Sequence, residues 1–488
     1  MIDLTINQEA LNRTLDHARE RNIIIPTFKQ MRDPSALPPK IVEKLSAVGL
    51  WDIDPINLFR VTWHNEPKER GGLFGGVNYI EFPSELTGVK ARIAALVGKW
   101  FPTGAHKVGA SFGCLVPRLV TGQFDPTYHK AVWPSTGNYC RGGAYNSALL
   151  GCESIAILPE GMSRERFEWL RTIAGEIIAT PGSESNVKEI FDAVKHLKET
   201  RDNAVIFNQF EELGNCLWHY HVTGPAMEEV FKKLGGNFAG ICLASGSAGT
   251  LSSGDYIKDH FPHVKIAATE ALQCPTLLDN GFGDHRIEGI GDKHIPWIHN
   301  VKNSDMVVAV DDENSHNLLR LFNEPAGKEY LTKELKLSGE YADSLSLLGI
   351  SGIANLLSSI KFAKYYELTE KDVILTVLTD SVEMYGSRLE EMNEEKGTYT
   401  ENRAMADHER FMLGLSTDYM QELTYPIKKR VHNLKYYTWV EQQGRTAEEL
   451  NAQWYDYDNY WKKMNKQVDE IDALIEEFNK KTGLVASK

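Results

Sequence analysis

Short apolar, β-branched runs alternate with amphipathic stretches through the middle of this chain. The runs fall at 130–132, 154–158, 176–179, 204–207, 240–244, 265–270 and 373–378, each of strand length. Between them, 139–150, 164–174, 187–198, 250–260 and 353–366 repeat apolar positions at helical spacing. Strand and helix in turn predict a parallel sheet with crossover helices, so the region from about 78 to 395 reads as α/β.

The two ends read differently. Near the start, Asn7 can cap a helix that keeps Leu11, Leu15 and Ala18 on one stripe, and a proline-bearing passage at 34–39 precedes a second short helix at 41–48. Residues 1–70 are expected to be a helical packing or oligomer arm. Past about 395 the chain becomes charge-rich helix with the aromatics Tyr436, Tyr437, Trp439, Trp454, Tyr455, Tyr457, Tyr460 and Trp461. A final helix carries Val468, Ile471, Ile475 and Phe478 on one face. Aromatics at such spacing favour a packing face over a ligand box, so 396–488 is expected to cap the core or to meet another subunit.

Composition narrows the class without naming a chemistry. A chain of 488 residues exceeds one typical core, which predicts two or three structural units. The formal net charge of −14 argues against nucleic-acid binding, because a phosphate backbone rewards a basic face. Cys114, Cys140, Cys152, Cys216, Cys242 and Cys274 are spread thinly with no CxxC pair, which suggests neither a disulfide framework nor a zinc site and fits a reducing compartment. The N-terminal stretch lacks a basic region followed by an apolar core, and no apolar run is long enough to span a bilayer. A cytoplasmic protein with no membrane or nucleic-acid partner is expected.

Three stretches carry candidate chemistry. Phe101-Pro-Thr-Gly-Ala-His-Lys107-Val-Gly-Ala-Ser111 reads as a turn-forming sequence that delivers one lysine among small residues, leaving room around the amine for another group to approach. Leu243-Ala-Ser-Gly246-Ser-Ala-Gly249-Thr250 follows an apolar strand and opens a helix. Its backbone N–H groups, the Thr250 hydroxyl and the helix N-terminus suit a phosphate, although any nucleotide fold offers a similar strand, loop and helix. Pro134-Ser-Thr-Gly137-Asn138-Tyr139 also lies between strand and helix. Ser135 and Thr136 suit a carboxylate and Asn138 a phenolate oxygen, while a helix cap accounts for the same residues.

Taken together, residues 78 to about 388 resemble the fold-type-II pyridoxal-phosphate enzymes, above all the cysteine synthase and cystathionine β-synthase family. Residues 101–107 resemble the family's lysine loop and 135–138 its Thr-Ser-Gly-Asn loop. The run 158–166 is similar to its Met-Pro-Glu passage, 208–210 with 221–225 to its Gln-Phe and Thr-Thr-Gly-Pro segment, and 246–250 to its phosphate loop. The stretches 285–291 and 349–352 complete the series, in family order.

The resemblance implies a tryptophan synthase β-like fold of two open, parallel-type sheet domains. The large cofactor-binding domain would comprise 71–123 and 208–395, and a smaller, mobile substrate domain 124–207. It implies pyridoxal 5'-phosphate held as a Schiff base on Lys107, its phosphate cradled by Gly246, Ser247, Ala248, Gly249 and Thr250. Asn138 would bond the ring hydroxyl, and Ser135, Thr136, Gly137 and Gln209 would hold the substrate carboxylate. Ser351 would face the ring nitrogen, with Ser381 as a second candidate, and Ser351 would also suit the N-cap of the helix at 353–366. A neutral hydroxyl at the ring nitrogen favours elimination from Cβ over transamination. No metal is implied, and a homodimer or higher homo-oligomer is.

The expected activity is β-elimination or β-replacement on a β-substituted L-amino acid through an aminoacrylate. The alternatives are an ammonia-lyase or dehydratase acting on diaminopropionate, serine or threonine, the cofactor-carrying β subunit of an amino-ketopentanoate thiolase, and a regulatory protein that keeps the cofactor without turnover. The departures bear on substrate. His106-Lys107 is closer to the tryptophan synthase β chain, Val108 stands where cysteine synthases carry Asp, and Tyr139 and Cys140 replace small residues. Cys140 reads as a buried hydrophobe more readily than as a sulfur carrier, and His106 as a stacking residue more readily than as a general base.

Overall fold

The computed structural model describes residues 1–184, 186–291 and 293–485, so the last three positions of the C-terminal extension lie outside the described residues. The strands are β1 (Tyr79–Phe82), β2 (Arg92–Val97), β3 (Lys130–Pro134), β4 (Ser154–Pro159), β5 (Glu176–Thr180), β6 (Ala204–Ile206), β7 (Asn237–Ala244), β8 (Lys265–Ala271), β9 (Met306–Val310), β10 (Asp372–Leu378) and β11 (Met420–Glu422).

They form two sheets. A seven-stranded sheet runs in the order β1-β2-β10-β7-β8-β9-β11, and a four-stranded sheet runs β5-β4-β3-β6. Every pairing is parallel except β1 on β2 and β11 on β9, the two edges of the large sheet. Fully buried runs such as Ile93–Leu96 and Val373–Leu375 follow from helices covering both faces. The short edge strand β11 comes from the C-terminal region expected to be wholly helical, so that region extends the sheet as well as covering it.

Two local expectations need correction. The small residues after Lys107 do not form a loop: Lys107 opens the helix Lys107–Val120. They are small because helices meet there, since a Cβ on Gly109 would stand 2.1 Å from the Trp218 ring and one on Gly113 2.3 Å from the Gly214 carbonyl oxygen. Ser351 does not cap its helix either. The helix begins at Ile350, with Gly349 at the N-cap and its N–H donated to the Asp380 carbonyl at 3.1 Å. A Cβ on Gly349 would lie 1.9 Å from Asp380 Oδ1, so the close approach of these two segments requires glycine.

The termini close on one another. The helix Gln8–Glu20, capped by Asn7, buries Leu11, Leu15 and Ala18, and the helix Lys463–Thr482 buries Val468, Ile471, Ile475 and Phe478 in the same core. Asn479 donates to the Ile25 carbonyl at 2.7 Å and accepts from its N–H at 3.0 Å, while Asp472 accepts from the Phe28 N–H at 2.7 Å. Of the tail aromatics, Trp439, Trp454, Tyr460 and Trp461 are buried and Tyr436, Tyr437 and Tyr455 face solvent. No single described helix is long and apolar enough to cross a membrane.

Candidate active site

Parallel strands end their pleat with backbone groups and side chains pointing into the crevice beyond their carboxyl ends, which is where open α/β sheets bind ligands. Here the two sheets contribute to one crevice. β7 runs into 245–250, β3 into Ser135–Gly137, and β10 into Thr379 and Asp380. A narrow cavity between them is lined by Lys107, Ser135, Thr136, Asn138, Gln209, Gly246 and Ser247, with Tyr139, Glu184, Val187, Phe210, Gly289, Gly291 and Thr379. Residues from 107 to 379 therefore share one cavity.

Lys107 crosses this cavity and its Nζ donates to Ser247 Oγ at 2.8 Å. Desolvation lowers the amine from its ordinary value to about 8, outweighing the opposing field of Glu184. An amine that sheds its proton near neutrality can act as a nucleophile and as a base. Ser247 Oγ also accepts from Asn215 Nδ2 at 3.0 Å, so the loop is tied to the helix beside it.

The loop at 246–250 has the build of an anion cradle. Ala248 sits at φ +63°, the left-handed conformation that turns successive N–H groups to one side, and the helix Leu251–His260 starts directly after Thr250. A Cβ on Gly249 would stand 2.0 Å from Asn215 Oδ1, and one on Gly246 3.1 Å from the Gly289 carbonyl oxygen. His106 lies behind the loop with its Nε2 3.5 Å from Thr250 Oγ1, stacked on Trp63 at 5.4 Å. Burial holds its imidazole neutral, at about 3.

Across the cavity, Gln209 Nε2 donates to Ser135 Oγ at 3.3 Å, and the Gly137 N–H donates to the same oxygen at 3.0 Å. Gly137 is irreplaceable on steric grounds, because a Cβ would meet Arg166 Nε at 2.5 Å. The Thr136 hydroxyl donates to Glu184, a residue the sequence reading passed over. Cys140 is buried, its thiol donating to the Gly137 carbonyl and pushed up to about 12, which leaves no thiolate.

Asn138 reaches into the cavity from the small sheet. Its Nδ2 donates to Asp380 Oδ2 at 2.7 Å, and its Oδ1 is buried without a partner. Ser351 does not line the cavity. Its hydroxyl is buried and unpartnered, 3.5 Å from where a Cβ on Gly289 would stand. Ser381 is buried and stands outside the lining, whereas its neighbour Asp380 meets Asn138 directly. Asp380 was legible only as a carboxylate at the carboxyl end of an apolar strand, a position that α/β sheets reserve for ligands.

An amine facing a phosphate-type loop, with unpartnered polar atoms on the opposite side, fits an anionic carbonyl cofactor. Residues 100–327 match the family described as pyridoxal-phosphate dependent enzyme. The cysteine synthase of Staphylococcus aureus is 30% identical over 259 residues, spanning 52% of this chain and 74% of that protein. A probable cysteine synthase of Bacillus subtilis is 26% identical over 285 residues, 58% of this chain and 85% of that protein. Among solved structures, a hydrogen sulfide-producing enzyme from Fusobacterium nucleatum superposes with a TM-score of 0.53 at 26% identity, covering 65% of this chain and 88% of its own. The fold is thus that of the fold-type-II pyridoxal-phosphate enzymes, with helical extensions. Within that class the chain belongs to the pyridoxal-phosphate dependent family of cysteine synthase and cystathionine β-synthase, and its cofactor is pyridoxal phosphate.

Proposed function

We propose that this enzyme carries out β-elimination or β-replacement on a small L-amino acid with a leaving group at Cβ. The observation that carries the reading is the Lys107 amine, desolvated and 2.8 Å from Ser247, facing the Ser135 and Gln209 pair across one cavity. Pyridoxal phosphate, held there, supplies the electron sink that lets charge develop at Cα.

The remaining roles belong to the chain. Backbone groups at 246–250 with Ser247 and Thr250 seat the phosphate. Asn138 bonds the ring hydroxyl, and Ser351, which stands behind the cavity-lining Gly289 and not in the lining itself, has an unpartnered hydroxyl that would be the neutral group offered to the ring nitrogen. Ser135, Thr136, the Gly137 backbone and Gln209 orient the substrate carboxylate, which places the Cα proton toward Lys107. The Lys107 amine, depressed to about 8, accepts that proton and returns it. The layer carrying Asn138 and Arg166 closes the crevice against water.

The test is a panel of serine, O-acetylserine, cysteine and 2,3-diaminopropionate, each with and without sulfide. A new thiol amino acid formed with sulfide marks replacement; keto acid and ammonia without it mark elimination. Cofactor-loaded protein that turns over none of the four removes the reading.

Glu184 favours a second reading within elimination. A carboxylate lining the cavity, bonded by Thr136, meets a second ammonium group on the substrate better than it meets a neutral or acidic side chain. On this reading the leaving group is an amine. Glu184→Gln is expected to lower the ratio of kcat/KM for 2,3-diaminopropionate to that for serine by about tenfold or more. An unchanged ratio removes it.

A further inference from the structure

Asp380 lies at the carboxyl end of β10, in the large sheet, and is fully buried. A buried carboxylate needs donors, and this one collects them from both halves of the molecule. From the layer of the small sheet come the Asn138 amide at 2.7 Å and the Arg166 guanidinium at 3.5 Å. From its own segment comes the Tyr385 hydroxyl at 2.8 Å, which in turn accepts from Arg166 at 3.0 Å. These two hydrogen bonds and the ion pair converge on Oδ2. The other oxygen, Oδ1, is buried without a partner against Gly349, where no side chain fits.

This arrangement orients Asn138. A carboxylate only accepts, so the amide must turn its nitrogen to Asp380; one N–H is then committed, and the second N–H and Oδ1 are presented elsewhere. The same contact bridges the two sheets, since Asn138 opens the helix that follows β3 while Asp380 ends β10. The bridge is reinforced nearby. Glu165 accepts from the Ser387 N–H and hydroxyl, each at 2.7 Å, and Glu288 pairs with both Arg166 and Arg388. The segment 380–388 is thus held against the helix Arg164–Leu170 in the same structure that turns Asn138 to Asp380.

We infer that Asp380 is a positioning residue: it holds the Asn138 amide in the orientation that meets the cofactor's ring hydroxyl, and does so only while the two sheets are together. This rests on the reading of Asn138 as the ring contact, and it goes beyond that reading by assigning the device that aims the amide. Asp380 acts through Asn138, so its removal should cost the cofactor site only what Asn138 contributes.

The experiment is a double-mutant cycle on the apo protein, with pyridoxamine 5'-phosphate as probe. This compound shares the ring hydroxyl and phosphate but has no aldehyde for Lys107, so its affinity reports the non-covalent contacts. Asn138→Ala and Asp380→Ala are each expected to weaken binding about tenfold, and the double variant to be no more than about threefold weaker than either single one. Effects that multiply overturn the inference, because Asp380 then acts elsewhere. Weak binding in Asp380→Ala with no loss in Asn138→Ala removes the ring-contact reading and the inference with it. Failure of the unsubstituted chain to bind the probe removes the cofactor placement itself.

Should Asp380→Ala not fold, the similarly sized Asp380→Leu fills the space and removes the acceptor common to three donors, while Arg166 keeps Glu288 as its partner. It is expected to weaken the probe while the melting temperature of the apo protein stays within a few degrees. Native affinity in Asp380→Leu overturns the inference, as does a loss of melting temperature with no change of affinity.

Discussion

Lys107 and Lys435 are both desolvated lysines, and they have opposite fates. Lys107 stands at the cofactor cavity with Ser247 as its hydrogen-bond acceptor, its amine lowered to about 8 by desolvation. Lys435, in the C-terminal extension, is wrapped by the Trp297 carbonyl at 2.9 Å, the His299 carbonyl at 2.7 Å and Gln453 Oε1 at 2.7 Å, with the Trp297 and Trp461 rings about it. Burial lowers that amine as well, and further. Depression alone therefore does not mark a functional lysine. Lys435 spends all three of its donors on the protein and pins the extension to the loop before β9, whereas Lys107 keeps valence for something that enters a cavity.

The sharpest break between the two is covalent. After loading with pyridoxal phosphate and reduction with borohydride, Lys107→Ala is expected to lose the cofactor-labelled peptide entirely, by mass spectrometry, while Lys435→Met keeps it. Labelling that persists in Lys107→Ala would overturn the assignment of the site.

Stability separates them in the other direction. Lys435→Met leaves Gln453 Oε1 without the lysine donor and takes one of two donors from the Trp297 and His299 carbonyls, for a net loss of about 1–3 kcal/mol in urea unfolding. In the apo protein Lys107→Met, which leaves one hydroxyl with a second partner in Asn215, should cost about 1 kcal/mol or less.

The pH dependence sharpens the comparison further. An unfolded lysine holds its proton up to the ordinary value of 10.5, whereas folded Lys107 releases it through about 8. The folded state binds fewer protons between those values, so the stability of the apo chain relative to Lys107→Met should rise with pH across that window and be flat below it. The rate of covalent cofactor capture should follow the neutral amine, climbing about tenfold per pH unit below about 8 and levelling above. A rate still climbing tenfold per unit at pH 9 to 10 would contradict the depressed amine. The smallest effect is expected at Cys140, whose protonated thiol should resist iodoacetamide at pH 7.5 and whose replacement by Ala should change capture less than threefold.

What could be read in advance was whatever is encoded in neighbouring residues. Strand, glycine loop and helix follow one another within about twenty positions at 240–260, so that unit was visible from periodicity and from the left-handed or tight positions that small residues occupy. The helix at Lys107–Val120 opens inside a stretch that reads as a turn for the same reason: Gly109 looks like a loop former until Trp218 is packed against it. The strands β2 and β9 carry a similar apolar signature, yet what makes them interior is the strand order, in which residues near 95 lie beside residues near 375.

The amino-acid order by itself determined the alternation of strand and helix, the small-residue loop at 246–250 before a helix, and the lysine set among small neighbours at 107, because each is a matter of local backbone geometry and side-chain size. Only tertiary structure decided that Asp380, distant in the chain, turns the Asn138 amide, that Glu184 enters the cavity beside Thr136, and that one buried lysine is spent on carbonyls while another is left available. Those outcomes depend on which groups lose water together, and desolvation is a property of the assembled neighbourhood, with no counterpart in any short stretch of sequence.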